Sequence, residues 1–438
     1  MHGMVEALME LLSIPSVSGD KEKCGAALDY MIAKGDSFGF KCKTSNKGSI
    51  GIIEMGEGEE TVGIFTHVDV ADPCDLSLWN HDPFMPIVVA GKIYGRGAVD
   101  DKGATIAALF AMKDVWNMSI ERGLVFKKKI QMIVGTSGET DWTDIKDYLM
   151  TNKKPDYGFV PDGYFPLCNI QKGCMDILLS HPLNGDERTI KDFSAGRAVN
   201  IIPDICRITL EDDRSFIARG QAGRSTYPNR GANAIFEMAR ALDSLSGQDR
   251  IKIAKDPVFK VITKYRRSFE NSNGMMAGMP QSSRTYKSEH VGDNIYSPTM
   301  AYIKNGRFYI NLNVRYTCDT TEESIVSAVE GLFADEGIII EKIDSIPPMF
   351  LGRNKPYIRK FADAYESVTG LRNTFDVNEG STYACLADDM VVWGPILPDH
   401  EDPCHKENEY ISVRDLTIIE SIYERALEQL AFDEEHYK

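Results

Sequence analysis

Two stretches decide the fold: Phe65-Thr66-His67-Val68-Asp69-Val70 and Tyr94-Gly95-Arg96-Gly97-Ala98-Val99-Asp100-Asp101-Lys102-Gly103. The first is predicted to be an apolar strand that ends in an imidazole and a carboxylate two residues apart. Side chains at positions i and i+2 of a strand point to the same side, so His67 and Asp69 should face one cavity. The second is predicted to be a glycine-rich turn that carries two adjacent carboxylates to the start of a helix. A histidine, a carboxylate that orients it and a further carboxylate are the components of a metal site. Taken alone, the two stretches would also fit a polar strand end and an ordinary loop.

Length and composition bound the class of protein. The chain has 438 residues, which predicts two domains. Its content of 43% apolar and 26% charged residues is typical of a soluble globular enzyme. The formal net charge of -16 argues against a nucleic-acid-binding surface. The nine cysteines are irregularly spaced and form no Cys-x-x-Cys pair, which predicts free thiols in a reducing compartment. No apolar run approaches the ~20 residues of a membrane-spanning helix, so we expect a cytoplasmic protein without a membrane partner.

Polar residues follow the predicted strands of the first 162 residues, in which helices and strands alternate. His67, Glu139 and Asp162 each come at or just after the end of an apolar strand, while Asp100 is delivered by a loop. Open α/β sheets bind ligands at the carboxyl ends of their strands. With His405 near the end of the chain, the set has two imidazoles and several carboxylates. Such a set suits a pair of hydrolytic metal ions.

The organisation of the chain changes near residue 170. A second α/β unit with strand-like and helical segments follows, and Ile346-Pro347-Pro348 closes it. The chain then returns to helix and strand and ends in an amphipathic helix. The prediction is a catalytic metal-binding domain made of residues 1–170 and 349–438, interrupted by an inserted domain at 171–348 with two similar halves.

At this point the sequence resembles the co-catalytic di-zinc exopeptidases and deacylases of the aminoacylase and carboxypeptidase type, and most of all the peptidase V-like dipeptidases related to carnosinase. The resemblance runs in family order over nearly the whole chain. It rests on Thr66-His67-Val68-Asp69-Val70, Trp79 with Asp82-Pro83-Phe84, Ile93-Tyr94-Gly95-Arg96-Gly97 through Asp100-Asp101-Lys102-Gly103, Gly135-Thr136, Pro161-Asp162 with Phe165-Pro166, Asn200-Ile201-Ile202-Pro203, Asn313-Val314-Arg315-Tyr316, Gly380-Ser381-Thr382-Tyr383, and His405 with Asn408-Glu409-Tyr410.

The resemblance implies an α/β fold of the zinc-exopeptidase type. That fold has a mixed sheet with helices on both faces and is interrupted by an inserted α/β lid domain. It implies two divalent metal ions, zinc first, with manganese or cobalt as alternatives. One ion would be held by His67, Asp100 and Asp162, and the other by Asp100, Glu139 and His405. Asp69 would orient His67, and the Asp100–Asp101 peptide is expected to be cis.

The inserted domain would bind the substrate. Asn200 and Arg315 resemble the groups that contact the substrate carbonyl and its terminal carboxylate, for which a guanidinium is well suited. Because the halves of the lid would mimic a dimer, the expectation is a monomer that takes a small peptide as its substrate.

The sequence departs from the family pattern where proton transfer takes place. The family has two adjacent glutamates, a general base followed by a ligand, and here Gly138 stands at the base position while Glu139 stands at the ligand position. Arg224 stands where a lid histidine would stabilise the oxyanion, and Cys385 stands where a basic residue is expected. Asp141 is the one nearby candidate for a relocated base. Glu407 and Glu409 are expected to organise their loop and cap the last helix rather than bind metal.

Three functions therefore stay open. The first is a zinc-dependent dipeptidase in which a metal-activated water attacks the peptide bond, with Asp141 or a bound carboxylate as the base. The second is a catalytically impaired relative that binds metal and small peptides. The third is a deacylase of N-acyl amino acids.

Overall fold

The structure is a computed structural model that describes residues 2–183, 188–269, 275–337 and 339–432. Its helices are α1 (His2–Leu12), α2 (Lys21–Ser37), α3 (Lys102–Arg122), α4 (Thr143–Thr151), α5 (Ala234–Asp243), α6 (Gly247–Lys255), α7 (Pro257–Phe269), α8 (Glu322–Leu332), α9 (Pro356–Thr369) and α10 (Val413–Ala431). No helix in these described ranges is long and apolar enough to cross a membrane.

The strands, given in chain order, are β1 (Lys41–Ser45), β2 (Ile50–Met55), β3 (Thr61–His67), β4 (Ile87–Val89), β5 (Lys92–Tyr94), β6 (Lys129–Gly135), β7 (Tyr157–Val160), β8 (Gly163–Tyr164), β9 (Leu167–Gln171), β10 (Gly173–Pro182), β11 (Ile190–Ala195), β12 (Ile201–Ile202), β13 (Ile205–Leu210), β14 (Ser215–Arg219), β15 (Gly223–Arg224), β16 (Arg284–Tyr286), β17 (Glu289–Gly292), β18 (Ile295–Lys304), β19 (Arg307–Tyr316), β20 (Ile339–Ile346), β21 (Met349–Phe350), β22 (Phe375–Asn378), β23 (Met390–Val392), β24 (Pro395–Ile396) and β25 (Tyr410–Ser412).

The chain forms two compact units. Unit 1 comprises Met1–Ile170, Phe350–Asn378 and Thr382–Lys438, and unit 2 comprises Gln171–Met349 and Glu379–Ser381. The role of unit 2 as a substrate-binding lid, and the similarity of its halves, stay predictions.

Unit 1 is built on a mixed sheet with the strand order β1-β2-β6-β3-β7-β23-β9-β21, with β22 beside β9. The strands β6, β3, β7 and β23 run parallel to one another. All seven residues of β3 are buried, as expected for a central parallel strand. Because His67 lies opposite Gly135 in this register, β3 and β6 end at the same level. The carboxyl ends of these strands are where the predicted ligands emerge.

The core of unit 1 is apolar and rich in aromatic side chains. Helix α3 packs against α1 and α10, and α9 packs against α10. Trp393 has no exposed surface, and its ring makes edge contacts with Phe159 and Phe361. Helix α3 ends at Gly123, whose φ of +66° allows the left-handed conformation that closes a helix. This packing gives the ligand-bearing strand ends a rigid base.

Unit 2 is built on an antiparallel sheet with the order β14-β13-β11-β18-β19-β10-β20. The buried residues of its long strands pack with α5, α7 and α8 in a second apolar core, exemplified by Leu312, Met238 and Ile325. Helices α6 and α7 were not expected from the sequence pattern. Helix α7 begins with a proline, and the carboxylate of Asp256 accepts from the backbone N–H groups of Val258 and Phe259.

Candidate metal centre

His67 is the last residue of β3 and is almost completely buried, with 3% of its surface exposed. Its Nδ1 lies 3.0 Å from the backbone oxygen of Asp69 and 3.3 Å from the Asp69 Oδ1. Its other ring nitrogen, Nε2, lies 3.4 Å from the Asp100 Oδ1. A contact of this kind at Nδ1 fixes the tautomer of the ring and directs Nε2 toward a metal. The structure therefore places Asp69 where the sequence predicts an orienting residue.

Asp100 and Asp101 lie between β5 and α3 and are joined by a cis peptide, as expected. The two carboxylates have different surroundings. Asp101 is fully buried, and its Oδ2 accepts a hydrogen bond of 3.2 Å from the backbone N–H of His67. Asp100 instead faces both candidate histidines. Asp101 thus supports the strand end, while Asp100 is available as a ligand.

The predicted ligands come together in two groups that share Asp100. In the first group, donor atoms of His67, Asp100 and Asp162 all lie within 4.8 Å of one another. In the second, the same holds for Asp100, Glu139 and His405. The Nε2 of His405 lies 3.0 Å from the Asp100 Oδ2 and 3.0 Å from the Glu139 Oε2. The two groups have the composition that the resemblance assigns to the two metal ions, although the assignment of each role stays a prediction.

The electrostatics of the groups show a concentration of negative charge. Burial and the nearby charge of Asp100 raise the pKa of Asp162 well above its usual value. Burial raises the pKa of Asp100 as well, but hydrogen bonds from His405 and His67 outweigh it and hold that pKa well below its usual range. Burial lowers the pKa of His405, yet its hydrogen bonds to Asp100 and Glu139 dominate and raise the pKa to about 11. Burial and hydrogen bonding thus shift the pKa values of these groups in different directions, up for Asp162 and His405 and down for Asp100.

The donor set fits divalent cations. Imidazole nitrogens and carboxylate oxygens are the ligands that zinc prefers after thiolates, and they also suit manganese and cobalt. Each group offers three protein ligands, which leaves positions open for water or substrate, as in catalytic rather than structural sites. Because ionised carboxylates and neutral imidazoles are the forms that bind metal, binding of a cation by this donor set would depend on pH.

The loop after β6 is held tightly against His67. The carboxylate of Asp69 accepts from the backbone N–H groups of Gly138, at 2.8 Å, and Glu139, at 3.1 Å. The indole N–H of Trp142 donates to the Gly138 carbonyl over 2.7 Å. A Cβ atom added to Gly138 would lie 2.7 Å from the His67 Cβ and closer still to the Cγ and Cδ2 of that ring. The position of the expected base therefore has no room for any side chain in this loop conformation.

Asp141 has a local structural role. Its side chain is exposed, and its Oδ1 accepts from the backbone N–H of Thr143, at 3.1 Å, and from the Thr143 hydroxyl, at 2.9 Å. These bonds form a turn at the start of α4. Asp141 is also not a member of either ligand group. The structure shows these local bonds, and the role of Asp141 as a relocated base stays a prediction.

Two further charged residues beside the ligands are fully buried. Glu409 does not cap α10, contrary to expectation, because the Ser412 hydroxyl accepts from the Asp415 N–H there instead. Glu409 binds the loop that precedes Asp100, whereas Glu407 is exposed.

Lys102 begins α3, and its Nζ donates to the carbonyls of Leu11, at 3.0 Å, and Ile14, at 2.8 Å. Burial lowers the pKa of Lys102 to about 7. The sequence offers little signal for either contact, since both join distant parts of the chain.

The predicted substrate-binding residues lie in unit 2. Arg315 on β19 is 8% exposed, and its Nη1 donates to the Ser381 hydroxyl over 3.0 Å. Arg224 on β15 is exposed and pairs in register with Ile201 of β12. Asn200 is also exposed, and its backbone carbonyl accepts from the N–H of Ser225. The loop of Asn200 and the strand of Arg224 are therefore neighbours within unit 2.

Comparison with known protein sequences agrees with the family that the sequence resembles. The sequence model of the family described as "Peptidase family M20/M25/M40" matches residues 63–429. The chain is 30% identical over 481 aligned positions to a Staphylococcus saprophyticus protein called "Putative dipeptidase", with 98% of this chain and 97% of that protein covered. It is 29% identical over 442 positions to "Putative dipeptidase YtjP" of Bacillus subtilis, with 94% and 91% covered.

Solved structures share the fold. Human carnosine dipeptidase 1 superimposes with a TM-score of 0.63 at 14% identity, covering 98% of this chain and 96% of that one. The M20 family metallo-carboxypeptidase Sso-CP2 from Sulfolobus solfataricus superimposes with a TM-score of 0.62 at 16% identity, covering 98% and 99%. The predicted fold class is confirmed.

Proposed function

We propose that this chain, which belongs to peptidase family M20/M25/M40 and is a metallopeptidase, hydrolyses dipeptides with the help of two divalent metal ions. The observation that carries the proposal is the pair of ligand groups that share the carboxylate of Asp100. The relatives named as dipeptidases, which match over nearly the full chain, favour dipeptides as substrates.

The chain's own residues account for binding and orientation. His67, Asp100 and Asp162 would hold one ion, and Asp100, Glu139 and His405 the other. A divalent ion bound there polarises a carbonyl and lowers the pKa of a water molecule. Asp69 keeps His67 in place through Nδ1 and holds the loop of Glu139 through two backbone N–H groups. Zinc is the first candidate, and manganese and cobalt are alternatives.

Unit 2 would supply the groups that recognise the peptide. The guanidinium of Arg315 is a candidate partner for the terminal carboxylate, because it donates in a planar fork that matches a carboxylate. Its hydrogen bond to Ser381 holds one end of that fork. Asn200 and Arg224 are candidates for the carbonyl of the scissile bond, to which both can donate.

Proton transfer distinguishes this chain from its family pattern. Gly138 carries no base, and the carboxylate of Asp141 is bonded to Thr143. A positioned general base typically contributes ~10²–10⁴-fold to a hydrolytic rate. Asp141, released from Thr143, or a bound carboxylate would have to take that role, so we expect slow turnover that still depends on metal. A relative that binds metal and peptide without turnover is the alternative favoured by Gly138.

A dipeptide assay tests the proposal. The purified full-length protein is stripped with a chelator, reloaded with zinc, manganese or cobalt, and incubated with a panel of dipeptides and of N-acetylated amino acids. We expect release of free amino acids from dipeptides, loss of that release after stripping, and its return on reloading. The Asp100→Asn variant, which lacks the shared carboxylate, is expected to show no release.

Three outcomes separate the alternatives. Tight binding of two metal ions without hydrolysis of any dipeptide would reject the proposal in favour of the impaired relative. Hydrolysis of N-acetylated amino acids alone would favour the deacylase. Release that persists unchanged in Asp100→Asn would point to a contaminating peptidase.

A further inference from the structure

Glu409 carries a fully buried carboxylate to which the proposed chemistry gives no task. Its Oε2 accepts from the Arg96 Nη1 over 2.7 Å and from the Gly97 N–H over 3.1 Å. Its Oε1 accepts from the Val99 N–H over 2.8 Å and from the Asp100 N–H over 3.2 Å. One carboxylate therefore binds three backbone N–H groups and one guanidinium of the turn that carries the shared ligand.

These bonds fix the position of Asp100. The N–H groups of Val99 and Asp100 belong to the two peptide planes directly before the Asp100 Cα, so the bonds to Glu409 restrict the backbone angles that aim its side chain. Asp100 belongs to both ligand groups. A shift of this turn would therefore disturb both groups at once.

Glu409 also connects Asp100 to the loop of His405, which lies four positions earlier in the sequence. The Glu409 carbonyl accepts from the Gly95 N–H over 3.0 Å, and Tyr410 pairs with Tyr94 where β25 meets β5. The carboxylate bond to Val99 joins residues 310 positions apart. Two of the three ligands of the second group, Asp100 and His405, are thus linked through Glu409.

We propose that Glu409 is a positioning residue for the metal centre, which sets Asp100 against His405 and thereby determines the affinity of the second group for a divalent cation. It is not a member of either ligand group. The inference rests on the proposed function only in treating the two groups as metal ligands, and it needs no turnover.

A second buried carboxylate provides a matched control. Asp256 in unit 2 has no exposed surface, and it accepts from the backbone N–H groups of Thr189, Ile190, Val258 and Phe259 over 2.7, 2.8, 2.8 and 3.3 Å. Its burial and its acceptor role match those of Glu409, but it belongs to neither ligand group. Asp256→Asn therefore reports the effect of weakening such a network on stability alone.

The experiment compares Glu409→Gln with Asp256→Asn in the full-length protein. In Glu409→Gln an amide nitrogen replaces one acceptor oxygen, so two of the four donors face another donor. Zinc affinity of the metal-free proteins is measured by competition with a chromophoric chelator, bound metal is counted by mass spectrometry, and folding is followed by circular dichroism. We expect Glu409→Gln to fold but to bind zinc ~10–100-fold more weakly, as for other partners behind metal ligands. Asp256→Asn should have a lower melting temperature and the zinc affinity of the parent.

Several results would overturn the inference. The inference is wrong if Glu409→Gln binds two zinc ions with the affinity of the parent. It is also wrong if both variants lose zinc affinity equally, because that result would indicate general destabilisation. If Glu409→Gln does not fold, Glu409→Asp takes its place, since it keeps the charge and withdraws it by one methylene, and the same loss of affinity is expected. A parent that binds two zinc ions but cleaves no dipeptide would reject the proposed function and leave this inference standing.

Discussion

Gly138 offers the sharpest test of the loop that packs on His67. A Cβ at this position would lie 2.7 Å from the His67 Cβ, whereas carbon atoms in contact prefer ~3.5–4.0 Å. Because the added atom would lie closer still to the Cγ and Cδ2 of His67, the loop or the ring must move by at least about 1 Å. Neither moves freely, because Asp69 and Trp142 bind the loop and β3 holds His67. We expect Gly138→Ala to lower the free energy of unfolding by ~1–3 kcal/mol, as overpacking commonly does.

The same displacement should weaken metal binding. Zinc–nitrogen bonds are ~2.0–2.1 Å long and tolerate about 0.2 Å, so a shift of His67 by about 1 Å removes it from the ligand set. Gly138→Glu, which restores the base of the family pattern, is therefore expected to lose metal affinity rather than gain activity. Urea unfolding and chelator competition measure the two effects.

Gly25 supplies the control for this test. It lies within α2, and a Cβ there would meet no atom within 4 Å. Gly25→Ala should raise the free energy of unfolding by ~0.5–1 kcal/mol, because alanine is the better helix former. If Gly138→Ala unfolds at the same urea concentration as the parent and binds zinc with the same affinity, the close packing inferred here is wrong.

Three further predictions concern single residues. Asp69→Asn should weaken zinc binding ~10–100-fold in chelator competition, because the orienting charge behind His67 is lost. Arg315→Lys should raise the KM for a dipeptide ~10–100-fold and change kcat less, since a charge-assisted fork contributes ~1.5–3 kcal/mol to binding. Burial, Arg307 and Lys264 lower the pKa of His181 to about 4. The parent should therefore lose stability as the pH falls from about 6.5 to about 4. In urea titrations, His181→Phe should remove about 3 kcal/mol of that loss.

The sign of the last effect follows from proton counts. Between the two pKa values the unfolded chain binds a proton at His181 and the folded chain does not, so the unfolding free energy rises with pH in that window. The ring is 1% exposed, and neither of its nitrogens has a hydrogen-bond partner in the described part of the chain. An unchanged pH profile in His181→Phe would contradict the buried neutral histidine. For Asp69→Asn and Arg315→Lys, the contradicting results are a parental zinc affinity and a parental KM.

The sequence predicted those features that a local pattern determines. The apolar stretch that leads to His67 is a strand, β3, and α3 begins directly after Asp100 and Asp101, as predicted. The strand-end rule brought His67, Glu139 and Asp162 together with Asp100, because parallel strands deliver their ends to one edge of the sheet. Local periodicity and topology were sufficient for these features.

The sequence did not reveal features that depend on distant contacts. Helices α6 and α7 escaped prediction, and the end of α7 adjoins residues 270–274, which lie outside the described residues. Glu409 was expected to cap a helix, because a carboxylate just before an amphipathic segment commonly does so. It instead binds a turn 310 residues away in the sequence. The steric exclusion at Gly138 likewise depends on the position of His67 at the end of the neighbouring strand β3. Such contacts are determined by tertiary packing and correspond to no periodic pattern in the sequence.

The buried contact of Lys102 with the first helix has a practical consequence for shortened versions of the protein. Its ammonium group is bonded to the carbonyl of Leu11 across 91 positions of sequence and lies directly after the two aspartates. Deleting residues 2–14 would strip both of its carbonyl partners and leave the lysine unsatisfied, at a cost of ~1–3 kcal/mol for the lost partners alone. An N-terminal truncation made only to ease crystallisation or expression would therefore loosen the start of α3 and, with it, the metal centre. A shortened version of the protein should therefore keep the first helix.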